Sequence, residues 1–200
     1  WLMLHDQQQV SELLAISTNK PIKVWLKLDT GMHRLGLMAG DLSGVYEDLA
    51  ASSNVQENPV LCTHLACADD LNNPMTRKQI SLIRSEALQY KMQLSIANSA
   101  GILFWPESHT QWNRPGYMLY GNCPTLSCES EVINLRPAMT MNSKIIAIRQ
   151  LQPGEGVGYG HDWVARRPSS IGTIAIGYGD GYPRHAPSGT PVLVNGQRVP

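Results

Sequence analysis

The stretch Ile22-Lys-Val-Trp-Leu-Lys-Leu-Asp-Thr-Gly31 decides how the first half of the chain is read. Ile22, Val24, Leu26 and Leu28 alternate with Lys23, Trp25 and Lys27, a period of two that predicts a strand with one apolar face. The run breaks at Asp29-Thr30-Gly31, where the chemistry changes from apolar to polar within one residue. Further along, Val60 to Leu65 reads as a second strand. A polar loop follows, then a helix over Met75 to Tyr90, in which Ile80, Ile83, Ala87 and Leu88 recur at helical spacing. A third strand over Leu94 to Ala97 meets Asn98-Ser99-Ala100-Gly101. A fourth turn, Asn113-Arg114-Pro115-Gly116, leads into Tyr117 to Tyr120. Strands alternating with amphipathic helices predict βα units on a parallel sheet or barrel.

The polar residues able to do chemistry fall where those strands end: Asp29-Thr30-Gly31, His64, Asn98-Ser99 and Arg114. In βα barrels the site is assembled at the carboxyl ends of the strands from several loops at once. From about Glu131 onward the pattern turns to β-rich segments punctuated by Pro153-Gly154, Asp180-Gly181 and Asn195-Gly196. Asn195-Gly196, between Val192 and Val199, predicts a hairpin on a type I′ turn, because both residues tolerate positive φ. The expected division is 1–130 for the βα part and 131–200 for the β-rich part.

Composition narrows the function classes. The 200 residues carry 16 basic and 16 acidic side chains, so no broad positive field favours nucleic acid or an anionic membrane. No apolar run approaches the roughly 20 residues that cross a bilayer. The expectation is a cytoplasmic protein with a small-molecule partner and no metal constellation. Cys62, Cys67, Cys123 and Cys128 form two C-x4-C pairs; this spacing is wider than a zinc knuckle, and reduced structural thiols are expected. Trp1 in place of a methionine, and an end at Pro200 just past the hairpin, read as cut ends.

Two segments, Lys27-Leu-Asp-Thr-Gly-Met-His-Arg-Leu-Gly36 and Ile176-Gly-Tyr-Gly-Asp-Gly-Tyr-Pro-Arg184, together resemble bacterial alanine racemase. Thr63-His64, Asn98-Ser99-Ala100, Arg114-Pro-Gly-Tyr-Met-Leu-Tyr-Gly121, Arg136-Pro-Ala-Met-Thr140 and Val157-Gly-Tyr-Gly160 match in the same order along nearly the whole chain. The resemblance implies an α/β plus β architecture: a partial (β/α)8 TIM barrel followed by a β-rich C-terminal domain. It also implies a homodimer whose active sites draw on both subunits. The implied activity is interconversion of L- and D-alanine by two-base proton exchange on pyridoxal 5'-phosphate, supplying D-alanine for peptidoglycan. None of Lys20, Lys23, Lys27, Lys78, Lys91 and Lys144 sits in the context in which the family presents its Schiff-base lysine. The chain is therefore expected to be an internal fragment, inactive by itself, without that segment and without the C-terminal end.

The roles that the resemblance implies can be weighed residue by residue. Tyr178 would be the base on the L face. A free phenol ionises near pH 10, so it needs neighbours that favour its ionised form, and His64 and Arg114 are expected to supply them. Arg114 would face the pyridine nitrogen as a cation that cannot hand over a proton. Ser99 and the backbone amides of Gly116 and Tyr117 would hold the phosphate, aided by a positive dipole end. Arg34 would contact the cofactor's phenolic oxygen and the substrate carboxylate, and His64 would pack on the cofactor ring. Lys27 is read either as the lysine that the family often carries carbamylated or as a plain amine in an ion pair. Asp180, Tyr182 and Arg184 are read as supporting residues.

Without the family match, each of these has a plainer reading. Tyr178 would be a packed strand-end tyrosine, Arg114 a loop residue, Asn98-Ser99 a helix cap and His64 satisfied core. Two rival functions are a non-catalytic carrier of the cofactor, which would lack the β-rich domain, and a barrel decarboxylase, which would place an acid where Arg114 stands.

Overall fold

The computed structural model describes residues 1–90, 92–125 and 134–199. It divides into two compact units, Trp1–Met139 and Thr140–Pro200. The boundary expected near 130 falls outside the described residues.

The first unit is built on four parallel strands, β1 (Leu2–Leu4), β2 (Val24–Lys27), β3 (Val60–Cys62) and β4 (Gln93–Ser95), in the order in which they occur in the chain. The helices α1 (Gln7–Ala15), α2 (Leu42–Ala51), α3 (Met75–Tyr90) and α4 (Ser99–Phe104) alternate with them. β2, β3 and β4 correspond to the three strands read from the sequence. β1 escaped that reading because three residues carry too little periodicity. After β4 the chain continues the parallel pattern through a single bridge between Trp112 and Ser95.

Parallel register sorts the side chains into rows. Leu4 pairs with Leu26, Leu26 with Leu61 and Leu61 with Leu94. Neighbours in register point to the same face of a sheet, so these leucines form one band, and all four are buried. They belong to a single core with Val10 and Leu13 of α1, Leu42, Val45 and Leu49 of α2, and Ile80, Ile83 and Ala87 of α3. Fully burying one such side chain contributes about 2 kcal/mol.

One residue along in each strand, Lys27, Cys62 and Ser95 form the next row, on the opposite face. One residue back lies the row of Met3, Trp25, Val60 and Gln93. There the rings of Trp1, Trp25 and Trp112 meet at centroid distances of 5.4 to 6.1 Å, and Trp112 Nε1 donates to Gln93 Oε1 at 2.7 Å.

α3 buries Thr76, Gln79, Ile80, Ile83 and Ala87. Leu88, read from the sequence as part of this face, is instead 82% exposed, because one residue past Ala87 rotates the side chain about 100° around the helix. Asp6 caps α1 by accepting from the Gln9 amide, and Asn98 caps α4 by accepting from that of Gly101.

The second unit consists of three antiparallel pairs: β5 (Ile145–Leu151) with β8 (Ser169–Ile174), β6 (Gly156–Val157) with β7 (Trp163–Val164), and β9 (Val192–Val194) with β10 (Gln197–Val199). Asn195 and Gly196 link the last pair with φ of 51° and 79°, the double positive φ that the hairpin signal required. Among the described residues no helix is long and apolar enough to cross a membrane.

Thr76 lies fully buried on α3, and its hydroxyl has no hydrogen-bond partner. An orphaned buried hydroxyl opposes folding, and an apolar group of the same shape removes that cost. Thr76→Val is therefore expected to raise unfolding free energy by about 1 kcal/mol, measured by urea titration. A loss of 1 kcal/mol or more would show that the hydroxyl is bonded after all.

Candidate functional site

A cavity of about 800 Å3 opens at the carboxyl ends of the strands, within the size range of small-ligand sites. His64, Ser99, Arg114, Gly116 and Tyr117, all singled out from the sequence, line it. Lys27 and Arg34 do not line it, and Tyr178 belongs to the other unit.

Arg114 is fixed by the sheet itself. Its backbone amide donates to Ala97 O at 3.0 Å, as the chain leaves the parallel bridge at Trp112. Its Nη1 donates to Ser95 O at 2.8 Å and to Ser95 Oγ at 2.6 Å, and its Nη2 donates to Thr63 O. The fork thus spans the ends of β3 and β4. Burial pushes its pKa down from the usual arginine value, and the Cys62 thiol opposes that shift.

His64 follows β3 and is half-buried. Burial first, then the positive charges of Arg114, Lys27 and Arg34, lower its pKa from 6.5 to about 4. Its imidazole is neutral at neutral pH.

Lys27 sits in the row with Cys62 and Ser95. Burial lowers its pKa most; Arg114 and Arg34 lower it further, while Cys62 and Asp29 oppose. Burial raises the Cys62 thiol despite Arg114 and Lys27. Cys62 and Cys67 are free thiols, whereas Cys123 is disulfide-bonded, contrary to the reduced state expected for it. A compartment argument applies to a whole chain and does not decide the state of one cysteine. Cys128 lies outside the described residues.

Arg34 is carried on the loop between Asp29 and Leu37. Asp29 Oδ1 accepts from the amides of Gly31, Met32 and His33 at 2.9, 3.1 and 3.1 Å. Its Oδ2 lies 3.2 Å from His33 Nδ1. Burial alone would raise the Asp29 pKa, but the Gly31 and His33 amides and the His33 ring together outweigh it and lower the carboxyl. Gly36, at φ 138°, closes the loop, and a Cβ there would lie 2.5 Å from the Asp29 nitrogen. Arg34 itself is exposed.

Ser99 opens α4 at the cavity wall. Its Oγ accepts from the amides of Gly116 and Met118 at 3.1 and 3.2 Å. The Met118 amide belongs to the 3-10 turn Tyr117–Tyr120, which follows Gly116.

Sequence reasoning missed Gln79. From α3 its Nε2 donates to Thr30 Oγ1 at 2.9 Å and to His64 O at 3.0 Å, and its Oε1 accepts from the Ala66 amide at 2.8 Å. Thr30 Oγ1 in turn meets Thr63 Oγ1 at 2.7 Å. The available signal was a glutamine on a largely apolar helix face, one residue before Ile80.

In the second unit Tyr178 begins the 3-10 turn Tyr178–Asp180 and is 75% exposed. The Arg184 guanidinium lies 5.9 Å from the centre of its ring. Asp180 Oδ2 accepts from the Gly177 amide at 3.0 Å, and the Tyr182 amide donates to Gly177 O at 3.2 Å. Asp180, Tyr182 and Arg184 therefore shape the segment that presents the phenol. Among the described residues no three His, Cys, Asp or Glu side chains cluster to hold a metal.

Comparison with known proteins identifies two family profiles: "Alanine racemase, N-terminal domain" over residues 1–124 and "Alanine racemase, C-terminal domain" over residues 138–200. An alanine racemase of Pseudoalteromonas atlantica is 50% identical over 204 aligned positions, which cover all of this chain and 54% of the relative. Among solved structures, the biosynthetic alanine racemase of Pseudomonas aeruginosa superposes with a TM-score of 0.85 at 43% identity, over 98% of this chain and 55% of that one. The alanine racemase of Bartonella henselae, described with covalently bound pyridoxal phosphate, gives 0.73 at 26% identity, over 99% and 55%. The chain thus spans about half the length of the relatives that it matches.

The lowered His64 pKa predicts a pH dependence of folding. Between about pH 4 and 6.5 the unfolded chain binds the imidazole proton and the folded one does not, so stability rises with pH there. The contribution is fully present above pH 6.5 and is lost as the pH falls toward 4. His64→Gln is expected to flatten the slope of unfolding free energy over that interval; equal slopes in both proteins would refute the assignment.

Proposed function

We propose, because the chain belongs to the alanine racemase family, that the whole protein interconverts L- and D-alanine with pyridoxal 5'-phosphate as its cofactor. The observation that carries this reading is the convergence of His64, Ser99, Arg114, Gly116 and Tyr117 on one cavity.

The residues present fit the cofactor at two of its ends. Ser99 Oγ accepts from the Gly116 and Met118 amides, which leaves its hydroxyl proton to donate to a phosphate. Ser99, Gly116 and Tyr117 at the cavity wall would hold it. Arg114, anchored by three bonds to Ser95 and Thr63, would face the pyridine nitrogen. When bound, the cofactor supplies an electron sink for the pair left behind as the Cα proton departs.

Everything else falls to the protein's own side chains. A guanidinium does not give up its proton, so Arg114 would leave the pyridine nitrogen unprotonated, which would limit charge in the ring and the side reactions that follow from it. His64 offers a neutral, flat surface against the ring. Arg34, forked and cationic, would orient the substrate carboxylate.

Tyr178 would take and return the proton on the L face at its Oη. Lys27, carried as a carbamate, would turn one member of a cationic group into an anion able to steady Arg34; as a plain amine it would remain a cation. The remaining parts of this reading are a homodimer in which sites draw on both subunits, a cytoplasmic location, and D-alanine supply for peptidoglycan.

In the full-length protein, Tyr178→Phe is expected to lower racemisation of L-alanine at least ~100-fold, as for loss of a general base. Chiral chromatography of both directions checks it, and unchanged rates would end the assignment. The 200 residues alone, given cofactor and alanine, are expected to show no turnover; measurable racemisation would contradict that.

A further inference from the structure

We propose that Gln79 is a positioning residue of the cofactor site: through Thr30 and His64 it sets both the histidine at the cavity wall and the base of the loop that carries Arg34. The proposal rests on the functional reading above, and its placement is unlike ordinary helix packing.

Gln79 is 0% exposed, on a helix face that also buries Thr76, Ile80, Ile83 and Ala87. Packing alone would be served there by a leucine or methionine, and burying a primary amide is costly unless its polar atoms are paired. They are paired, and with partners on two separate strand ends. Both Nε2 protons are used, one on Thr30 Oγ1 and one on His64 O, and Oε1 takes the Ala66 amide. A single side chain therefore brackets His64 and Ala66, two residues apart, and reaches across to the end of β2.

The connection continues on the other side. Thr30 and Thr63 share a hydroxyl contact of 2.7 Å, and Thr63 O accepts from Arg114 Nη2. His64 is held by its own carbonyl through Gln79 and by the preceding carbonyl through Arg114. Thr30 lies within the turn organised by Asp29, four residues before Arg34. An apolar replacement at 79 leaves the helix packed but releases the His64 carbonyl and the Ala66 amide, both in a stretch whose flank is the cavity. In a low-dielectric interior such shared networks couple their members.

The test uses the full-length holoenzyme. Gln79→Met keeps length and apolar packing while removing all three bonds. Ile83→Val, on the same buried face of α3, removes packing without touching the network. Gln79→Met is expected to weaken pyridoxal phosphate binding at least tenfold in equilibrium dialysis. It should also lower kcat for alanine at least tenfold while KM moves less than threefold. Ile83→Val should leave both affinity and kcat within twofold.

Affinity and kcat within twofold in Gln79→Met, or equal losses in Ile83→Val, would overturn the proposal. Should Gln79→Met fail to fold, Thr30→Val, which deletes one acceptor of Nε2 and the Thr63 contact, is read by the same criteria. A wild-type protein that neither racemises alanine nor binds the cofactor overturns the functional reading separately. In that case amide hydrogen exchange over residues 63–66, measured without cofactor, still decides the positioning role: faster exchange in Gln79→Met supports it, and unchanged exchange refutes it.

Discussion

Parallel register across β2, β3 and β4 places Leu26, Leu61 and Leu94 on one face and Lys27, Cys62 and Ser95 on the other. A slip of one residue in any strand would exchange these rows, driving a lysine into the apolar core and a leucine onto the polar face. The helices α1, α2 and α3 bury the leucine band and hold that register. Everything at the cavity follows from it, because Lys27, Cys62 and Ser95 then end their strands at a common level and the loops beyond them must meet.

Arg114 converts that shared level into a rigid site. Its guanidinium adds to the interstrand bonding by donating to the carbonyls of Thr63 and Ser95, the second of which also accepts the Thr63 amide. The group that would face the cofactor is thus also the group that ties two strand ends together. Its charge, with those of Lys27 and Arg34, adds to burial in holding His64 neutral. A neutral imidazole suits packing against an aromatic ring.

Much of the fold was legible because its signals are local. Alternation in Ile22 to Leu28 gave β2, the apolar run from Val60 gave β3, and Asn195-Gly196 gave the hairpin with both φ values positive. β1 was too short to show a period, and Leu88 was placed on the wrong side of α3 because a one-residue error in phase turns a side chain by 100°. Of the site, His64, Ser99, Arg114, Gly116 and Tyr117 were found because they sit in motifs at strand ends. Gln79 and the Met118 amide were not, since nothing in their neighbours announces a hydrogen bond to a residue 15 or 19 positions away.

The sequence by itself determined the family, the alternation of strands and helices followed by a β-rich segment, and the chemical character of each strand end, because side-chain type and spacing are properties of the chain alone. Tertiary structure decided which of those groups share a cavity, that Arg34 stands exposed on a loop organised by Asp29, that Ser99 receives the Gly116 and Met118 amides, and that His64 is uncharged. Those outcomes depend on distance, burial and the sum of neighbouring charges, and these quantities exist only once separated segments have been brought together.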